Sequence, residues 1–562
     1  MASVIKKIVN GRMYYYAVQS KRVDGKPRIV WQKYLGRAED IVRAMTEDLK
    51  PQAVHTFAFG AVAALYAVAQ RLRLVETINA HVHKRAQGVT VGEYLLIAAI
   101  NRCVAPRSKR RMAEWYASTS LRRLLGIKPD HLTSQRFWDH MGYLGAEEIR
   151  GIEEELARRL VQEYGVDLRC LVYDATNFFT YIDTRTASEL PQRGHSKAKR
   201  NDLRQVNLAL LVSTDFHVPL FHTPYPGNVP DAPQFGALTE ELVARHAAVA
   251  QGCQEVTLVF DKGNNSQANL RAVEESPYHF VGSLVPSQHR DLLAVPVSEF
   301  EPLQGERFRG VTAYRTTKKV FGVERTVVVT RNEALLEGQM QGINANLGKA
   351  QAALEELQRK LRDRAAGRVT KGRPPTPESV SRLIDRLLKR RRIAGLIRYQ
   401  VEGSKGRVNL SYEIDRQALQ RLREETLGKT ILFTDNHRWS TEEIVAAYRG
   451  QAAVEEAFKR MKDRHFLNWS PMFHWTDQKI RVHAFYCVLA LTLCALLRRE
   501  LHAKGIDLSI PAIIENLSEV REVLFVYPGL RRRKQPPLTL SERTPLQQRL
   551  LDALELGRYT AG

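Results

Sequence analysis

Cysteine is scarce in this chain. Its 562 residues hold five (Cys103, Cys170, Cys253, Cys487 and Cys494), scattered and without a C-x-x-C pair. That spacing indicates neither a zinc site nor a disulfide framework, and the residues read as buried apolar groups of a reducing compartment. No uninterrupted apolar run reaches the roughly 18 residues that a membrane-spanning helix needs. The closest stretch, AFYCVLALTLCALL over residues 484–497, is short and flanked by Arg481, His483, Arg498 and Arg499, so a buried core helix is expected. The opening MASVIKKIVNG lacks the apolar core of a signal peptide, so a cytoplasmic chain with no membrane partner is expected. No period of about 20–50 residues recurs, which excludes a solenoid. Acidic residues are also short, 61 against 85 Lys and Arg, a net charge of +24. An excess of that size points to a polyanionic partner, nucleic acid above all, although a generally basic surface gives the same balance.

The composition is otherwise globular, 44% hydrophobic, and the chain is too long for one core. Residues 1–52 read as a small β-rich unit, with Tyr14–Tyr16 and Ile29–Trp31 flanking a turn at Asp24-Gly25-Lys26-Pro27. Residues 53–165 read as helical and DNA-binding, with Arg107, Lys109, Arg110 and Arg111 close to Trp115 and Tyr116; a plain helical domain fits as well. From 166 to 262 short apolar strands (Leu168–Tyr173, Val206–Ser213, Val218–Pro224, Glu255–Phe260) and a helix over Pro233–His246 predict the first part of an α/β core. Residues 263–438 break that alternation. They hold β-type residues on either side of Thr316–Lys319, then a helix with Leu347, Ala350, Leu354, Leu357 and Leu361 at seam spacing. A breaker at Gly372–Pro377, a second helix (Val380, Leu383, Ile384, Leu387, Leu388), the run Lys389–Arg392 and a strand pair near Leu396–Glu413 complete an insertion. Residues 439–500 are helical again, and 501–562 form a helical tail with the basic run Arg531–Lys534.

Two acidic residues follow apolar strands, Asp174 after LVY and Asp261 after TLVF. Ligand sites in open α/β sheets lie at the carboxyl ends of strands. Two carboxylates on neighbouring strands would repel unless a cation lay between them, and Mg²⁺ favours such oxygen donors. A lone strand-end Asp more often caps the following helix or turn. The third feature is a helix with a capping box, Ser440 and Glu443. Tyr448, Gln451, Glu455 and Lys462 fall on one of its faces, and Val454, Ala457, Phe458 and Met461 on an adjacent apolar one. An ordinary solvated helix face would also look like this.

With these residues in place the chain resembles the DDE transposases of prokaryotic insertion sequences, in the branch whose signature is Y-(2)-R-(3)-E-(6)-K. Tyr448, Gln451, Glu455 and Lys462 have that spacing, with Gln451 where the signature has Arg. Segments around Asp174 (YDATNF), Lys197–Val206, Pro226–Asn228, Asp261 (FDKGN) and His474–Arg481 are similar to family segments, in the family's order. The resemblance implies an RNase H-like catalytic core interrupted by a mixed β/α insertion, with a β-rich N-terminal unit and helical N- and C-terminal regions. It implies Asp174, Asp261 and Glu455 as the catalytic carboxylates holding two Mg²⁺ (or Mn²⁺) ions, with Asp174 bridging both. It implies Tyr448, Gln451 and Lys462 as phosphate-positioning groups, and Lys197, Lys199, Arg200, Arg204 and Lys262 as DNA-backbone contacts. The implied reaction is cleavage at transposon ends and strand transfer into target DNA. The implied partners are double-stranded terminal repeats and target DNA, held by a homodimer at the nucleoid. A domesticated copy that only binds DNA, or another RNase H-like metal nuclease, would share much of this pattern.

Overall fold

The computed structural model describes the chain except residues 1, 24–25, 47–50, 86, 195–199, 231–234, 236–240, 242–243, 246–248, 250–255, 391–392, 464–466, 528–537 and 561–562. The chain forms two compact units, one of Met1–Ala64, Tyr116–Ile127 and Ala512–Gly562, the other of Leu65–Trp115 and Lys128–Pro511.

In the first unit, Ala2–Val9, Arg12–Val23 and Lys26–Gly36 form an antiparallel sheet. Tyr34 packs against Tyr14 and Tyr16, with ring centroids 5.8 and 5.2 Å away, the aromatic cross-strand contact that favours such a sheet. The third strand already begins at Lys26, so Lys26 and Pro27 are strand and not turn; Asp24 and Gly25 lie outside the described residues. Ala53–Ala58 is also a strand, where a helix was expected. It pairs antiparallel with Arg521–Val526 from the far end of the chain, which in turn pairs with Thr539–Leu540. A partner so distant leaves no periodicity in a local window. The basic run Arg531–Lys534 lies outside the described residues.

The second unit is built on a nine-stranded sheet whose strands are numbered here in chain order: β1 (Cys170–Thr180), β2 (Arg204–Ser213), β3 (Pro219–Pro226), β4 (Val256–Val259), β5 (Tyr278–Leu284), β6 (Glu301–Pro302), β7 (Val311–Val320), β8 (Val323–Asn332) and β9 (Lys429–Thr434). The spatial order is β6-β7-β8-β9-β5-β4-β1-β2-β3. β1, β2 and β3 form an antiparallel meander, β4 runs parallel to β1, and β5 parallel to β4. This mixed sheet is consistent with an RNase H-like core. Its central strands are buried on both faces, as near-continuous apolar runs require.

Three expectations are revised. β1 does not end at Asp174; antiparallel pairing with β2 carries it on to Thr180. Thr316–Lys319 lie within β7, and the reversal falls at Phe321-Gly322, both at positive φ (49° and 87°), where Gly is at ease. β5 to β9 extend the one sheet rather than standing apart from it. What does form a separate body lies between β8 and β9. The helices α1 (Glu333–Ala365) and α2 (Pro377–Arg390) share a core with the hairpin Ile397–Ser404 and Arg407–Ile414. Leu347, Ala350, Leu354, Leu361, Val380, Ile384 and Leu388 are buried there, whereas Leu383 is 49% exposed and faces out. Of the helix expected over Pro233–His246, only Phe235, Glu241, Ala244 and Arg245 are described, all helical; Arg391 and Arg392 are also outside the described residues.

Two more helices complete the frame of the site: α3 (Thr441–Met461) and α4 (Asp477–Ala503). By length and composition α4 could cross a membrane, but the most apolar part of it is 94% buried within the protein.

Candidate active site

Parallel pairing fixes the level of the two aspartates. The last paired residues of β1 and β4 are Val172 and Val259. Asp174 and Asp261 each lie two residues beyond that pair, Asp174 still within β1 and Asp261 at the start of the short 3-10 turn Lys262–Asn264 that follows β4. Asp174 shares its face of β1 with Val172, Thr176 and Phe178, because side chains alternate along a strand. That face meets α3. A methyl group on Gly450 would lie 3.3 Å from Val172 Cγ2, so the helix backbone comes very close there. Past the helix end, Lys462 Nζ donates to Thr176 Oγ1 at 2.6 Å and lies 5.4 Å from the Phe178 ring centroid. The helix thus passes over Asp174 from one side to the other. The half-buried Asp174 carboxylate accepts the Ala175 amide proton at 2.8 Å.

The helix begins where the sequence places it. Ser440 accepts from the Glu443 amide, and the Glu443 carboxylate accepts from the Ser440 amide. Downstream, Tyr448, Gln451 and Glu455 line a cavity of about 320 Å³ together with Asp261, Arg449, Thr330, Asn332 and Thr430. Tyr448 donates to Ser283 Oγ on β5 at 2.7 Å. Burial, reinforced by the charges of Asp261 and Glu455, pushes its phenol up to about 12. Tyr448 is therefore a neutral donor throughout the physiological range. Gln451 is 4% exposed, and its Oε1 is buried with no hydrogen-bond partner. Glu455 is exposed. Its neighbour Glu456 pairs instead with Arg460 and Lys459, at 3.5 and 3.8 Å, and is not among the residues lining the cavity.

Asp261, Tyr448, Gln451 and Glu455 therefore converge on one cavity, while Asp174 and Lys462 lie along β1. Among the described residues no three Asp, Glu, His or Cys side chains stand close enough to form a metal cluster. The donor set itself, carboxylate oxygen only, is the chemistry a hard divalent cation takes. Lys262 is exposed just after Asp261. Arg200 is bound to Asp202 through two bonds of 2.8 Å, and Arg204 donates to the carbonyls of Thr186 and Thr184, so both guanidinium groups are already engaged. Lys197 and Lys199 lie outside the described residues. Arg449 was not singled out from sequence. Its guanidinium donates to the Arg307 carbonyl and packs 5.1 Å from the Phe308 ring centroid at the cavity wall. Its position beside Tyr448 was the available signal. Ser283, Thr330, Asn332 and Thr430 gave none, since only the sheet brings their strands to the helix.

A mixed sheet thus carries one acidic residue within β1 and another just after the parallel β4, and a helix bearing a third packs against it. The family model described as "Transposase DDE domain" matches residues 167–493, more than half of the chain. The chain belongs to that family: it is a DDE transposase, a DNA-acting protein. Among solved structures it is similar to piggyBac transposase in a synaptic complex with hairpin DNA (10% identity, TM-score 0.35, covering 81% of this chain and 79% of that one). It is also similar to Mos1 transposase in a paired-end complex with the left transposon end (13% identity, TM-score 0.14, covering 35% and 60%). Likeness at these scores is too low to bear on the fold. No curated protein matches.

Proposed function

We propose that this DDE transposase acts by cut-and-paste transposition and belongs to the insertion-sequence branch with the Y-(2)-R-(3)-E-(6)-K signature. The observation that carries this reading is the convergence of Tyr448, Gln451 and Glu455, from one helix face, with Asp261 in one cavity. In the proposed reaction Asp174, Asp261 and Glu455 would hold two Mg²⁺ (or Mn²⁺) ions. When bound, these cations would activate the attacking oxygen and stabilise the leaving one. Tyr448, kept neutral, donates a hydrogen bond, and Gln451 presents an amide where the signature carries a guanidinium. Lys462, held by Thr176, is placed for a phosphate on the Asp174 side, and Arg449 adds a cation on the other. Water opens the phosphodiester at the transposon end, and the freed 3′-hydroxyl attacks target DNA in line, with no covalent enzyme intermediate. Two ends must be held together, which a homodimer on DNA at the nucleoid would do.

The test uses the purified full-length chain with DNA containing the inverted repeats that flank its gene. With Mg²⁺, cleavage and joining are expected, and Asp174→Asn, Asp261→Asn and Glu455→Gln should each lower both by at least about a hundredfold. Retained chemistry in all three variants would overturn the assignment of these carboxylates.

A further inference from the structure

Away from the carboxylates, one surface of the second unit joins exposed aromatic rings to crowded lysines. The Trp138 ring stacks on Trp475 (centroids 4.7 Å apart, planes at 27°) and on His474 (5.6 Å, 25°). Trp475 is 54% exposed, and Phe473, two residues earlier, is 62% exposed. Lys109 Nζ, half-buried, lies 4.2 Å and Lys479 Nζ 5.1 Å from the Trp138 ring centroid; Lys479 is only 7% exposed and donates to the Trp138 carbonyl at 2.7 Å. Burial, helped by the like charge of Lys479, lowers the Lys109 ammonium to about 8. Burial also lowers Lys479, with Asp139 opposing. His474 is held neutral by burial and by the surrounding cations, which push it down to about 3. The cluster therefore carries positive charge that an anion would relieve, beside indole and phenyl faces left in water.

This surface is joined to the catalytic strand by a row of packed rings. Lys462 lies over Phe178, which stacks on Trp469 at 4.4 Å; Trp469 meets His483 at 4.8 Å, and His483 meets His474 at 5.3 Å. Aromatic faces for bases and ammonium groups for phosphates are how proteins hold unpaired nucleic acid. Resting on the transposase reading, we infer that Trp475 and Phe473 receive an unpaired nucleobase of the DNA, while Lys109 holds the phosphate beside it and the buried Lys479 fixes the Trp138 backbone below. Duplex DNA keeps its bases stacked inside and would meet this surface through phosphates alone. The platform thus selects strands that are opened or displaced near the ends.

The experiment uses the full chain with two probes, oligothymidylate and a long linear duplex. Stacking on an indole is expected to quench tryptophan fluorescence when the wild type binds oligothymidylate. Trp475→Ala should lose most of that quench and bind the single strand about tenfold or more weakly, with duplex affinity unchanged. Trp475→Phe should restore most of the affinity. Lys109→Ala should make the salt dependence of single-strand binding shallower by about one in the log–log slope. Equal single-strand affinity and quench in Trp475→Ala and wild type would overturn the platform while leaving the transposase reading standing. So would an equal loss on both probes that Trp475→Phe does not repair, the mark of a structural role. A wild type that binds neither probe would overturn both.

Discussion

At the scale of single residues, Tyr448 ties α3 to β5. Its hydroxyl is largely buried and donates to Ser283. Tyr448→Phe removes that bond and strands the Ser283 hydroxyl, so it should lower stability by about 0.5–1.5 kcal/mol in urea denaturation. The pH dependence has a definite sign. The folded-state phenol, at about 12, lies above the ordinary value near 10. Its contribution is thus complete below pH ~10 and is lost as pH rises towards 12, because the unfolded chain ionises first. The stability difference between wild type and Tyr448→Phe should therefore shrink across that range, and a difference that grew would contradict the burial described. Arg449 gives a second expectation. It lines the cavity without being one of the carboxylates, so Arg449→Ala should weaken DNA affinity at the site more than it changes the Mg²⁺ concentration needed for cleavage. A titration of the cation at saturating DNA would check this. Gln451, Glu455 and their spacing were legible in the sequence because helical periodicity is local, whereas the engagement of the neighbouring Glu456 by Arg460 and Lys459 is seen only in the structure.

At the scale of elements, the approach of α3 to β1 depends on Gly450. A methyl group there would stand 3.3 Å from Val172 and 3.4 Å from Thr214, close to the limit of ordinary contact. Gly450→Leu has no room and should push the helix off the strand, cutting strand transfer by about a hundredfold or more while circular dichroism remains that of a folded protein. The body between β8 and β9 invites a second test. Its two ends touch: the Asn332 amide donates to the Gly428 carbonyl at 2.9 Å, and a Cβ on Gly428 would meet Leu336 Cβ at 2.8 Å. With its own buried core, it should be removable. Replacing residues 337–427 by a short Gly-Ser linker should leave the sheet folded, with weaker DNA binding and a shallower salt slope. An unchanged slope would mean that the basic helices do not contact phosphates. Sequence patterning showed the helices α1 and α2, because seam spacing repeats along one chain segment. It did not show that β5 to β9 belong to the main sheet, since β8 to β9 pairing joins residues about a hundred apart and is written in neither strand alone. The extension of β1 past Asp174 was hidden for the same reason: β2 decides it.

At the scale of the whole molecule, the excess of 24 positive charges, the DDE domain over residues 167–493 and the stacked tryptophans all suit one polyanionic partner met in more than one form. The strand Ala53–Ala58 bears on how the chain comes to exist at all. Its partner, Arg521–Val526, is made more than four hundred residues later. During synthesis that early strand finds hydrogen bonds at Ala58 alone, to Ser118 and Ser120, while its antiparallel ladder waits for Arg521–Val526. Closing so large a loop also makes this among the slowest contacts to form. A product cut short at Pro511 keeps the carboxylates and the catalytic helix, yet should aggregate or be degraded through its unsatisfied edge. Supplying residues 512–560 as a separate polypeptide should restore its solubility, as measured by sedimentation. A shortened copy would then be cleared although the matched domain over residues 167–493 is present in full.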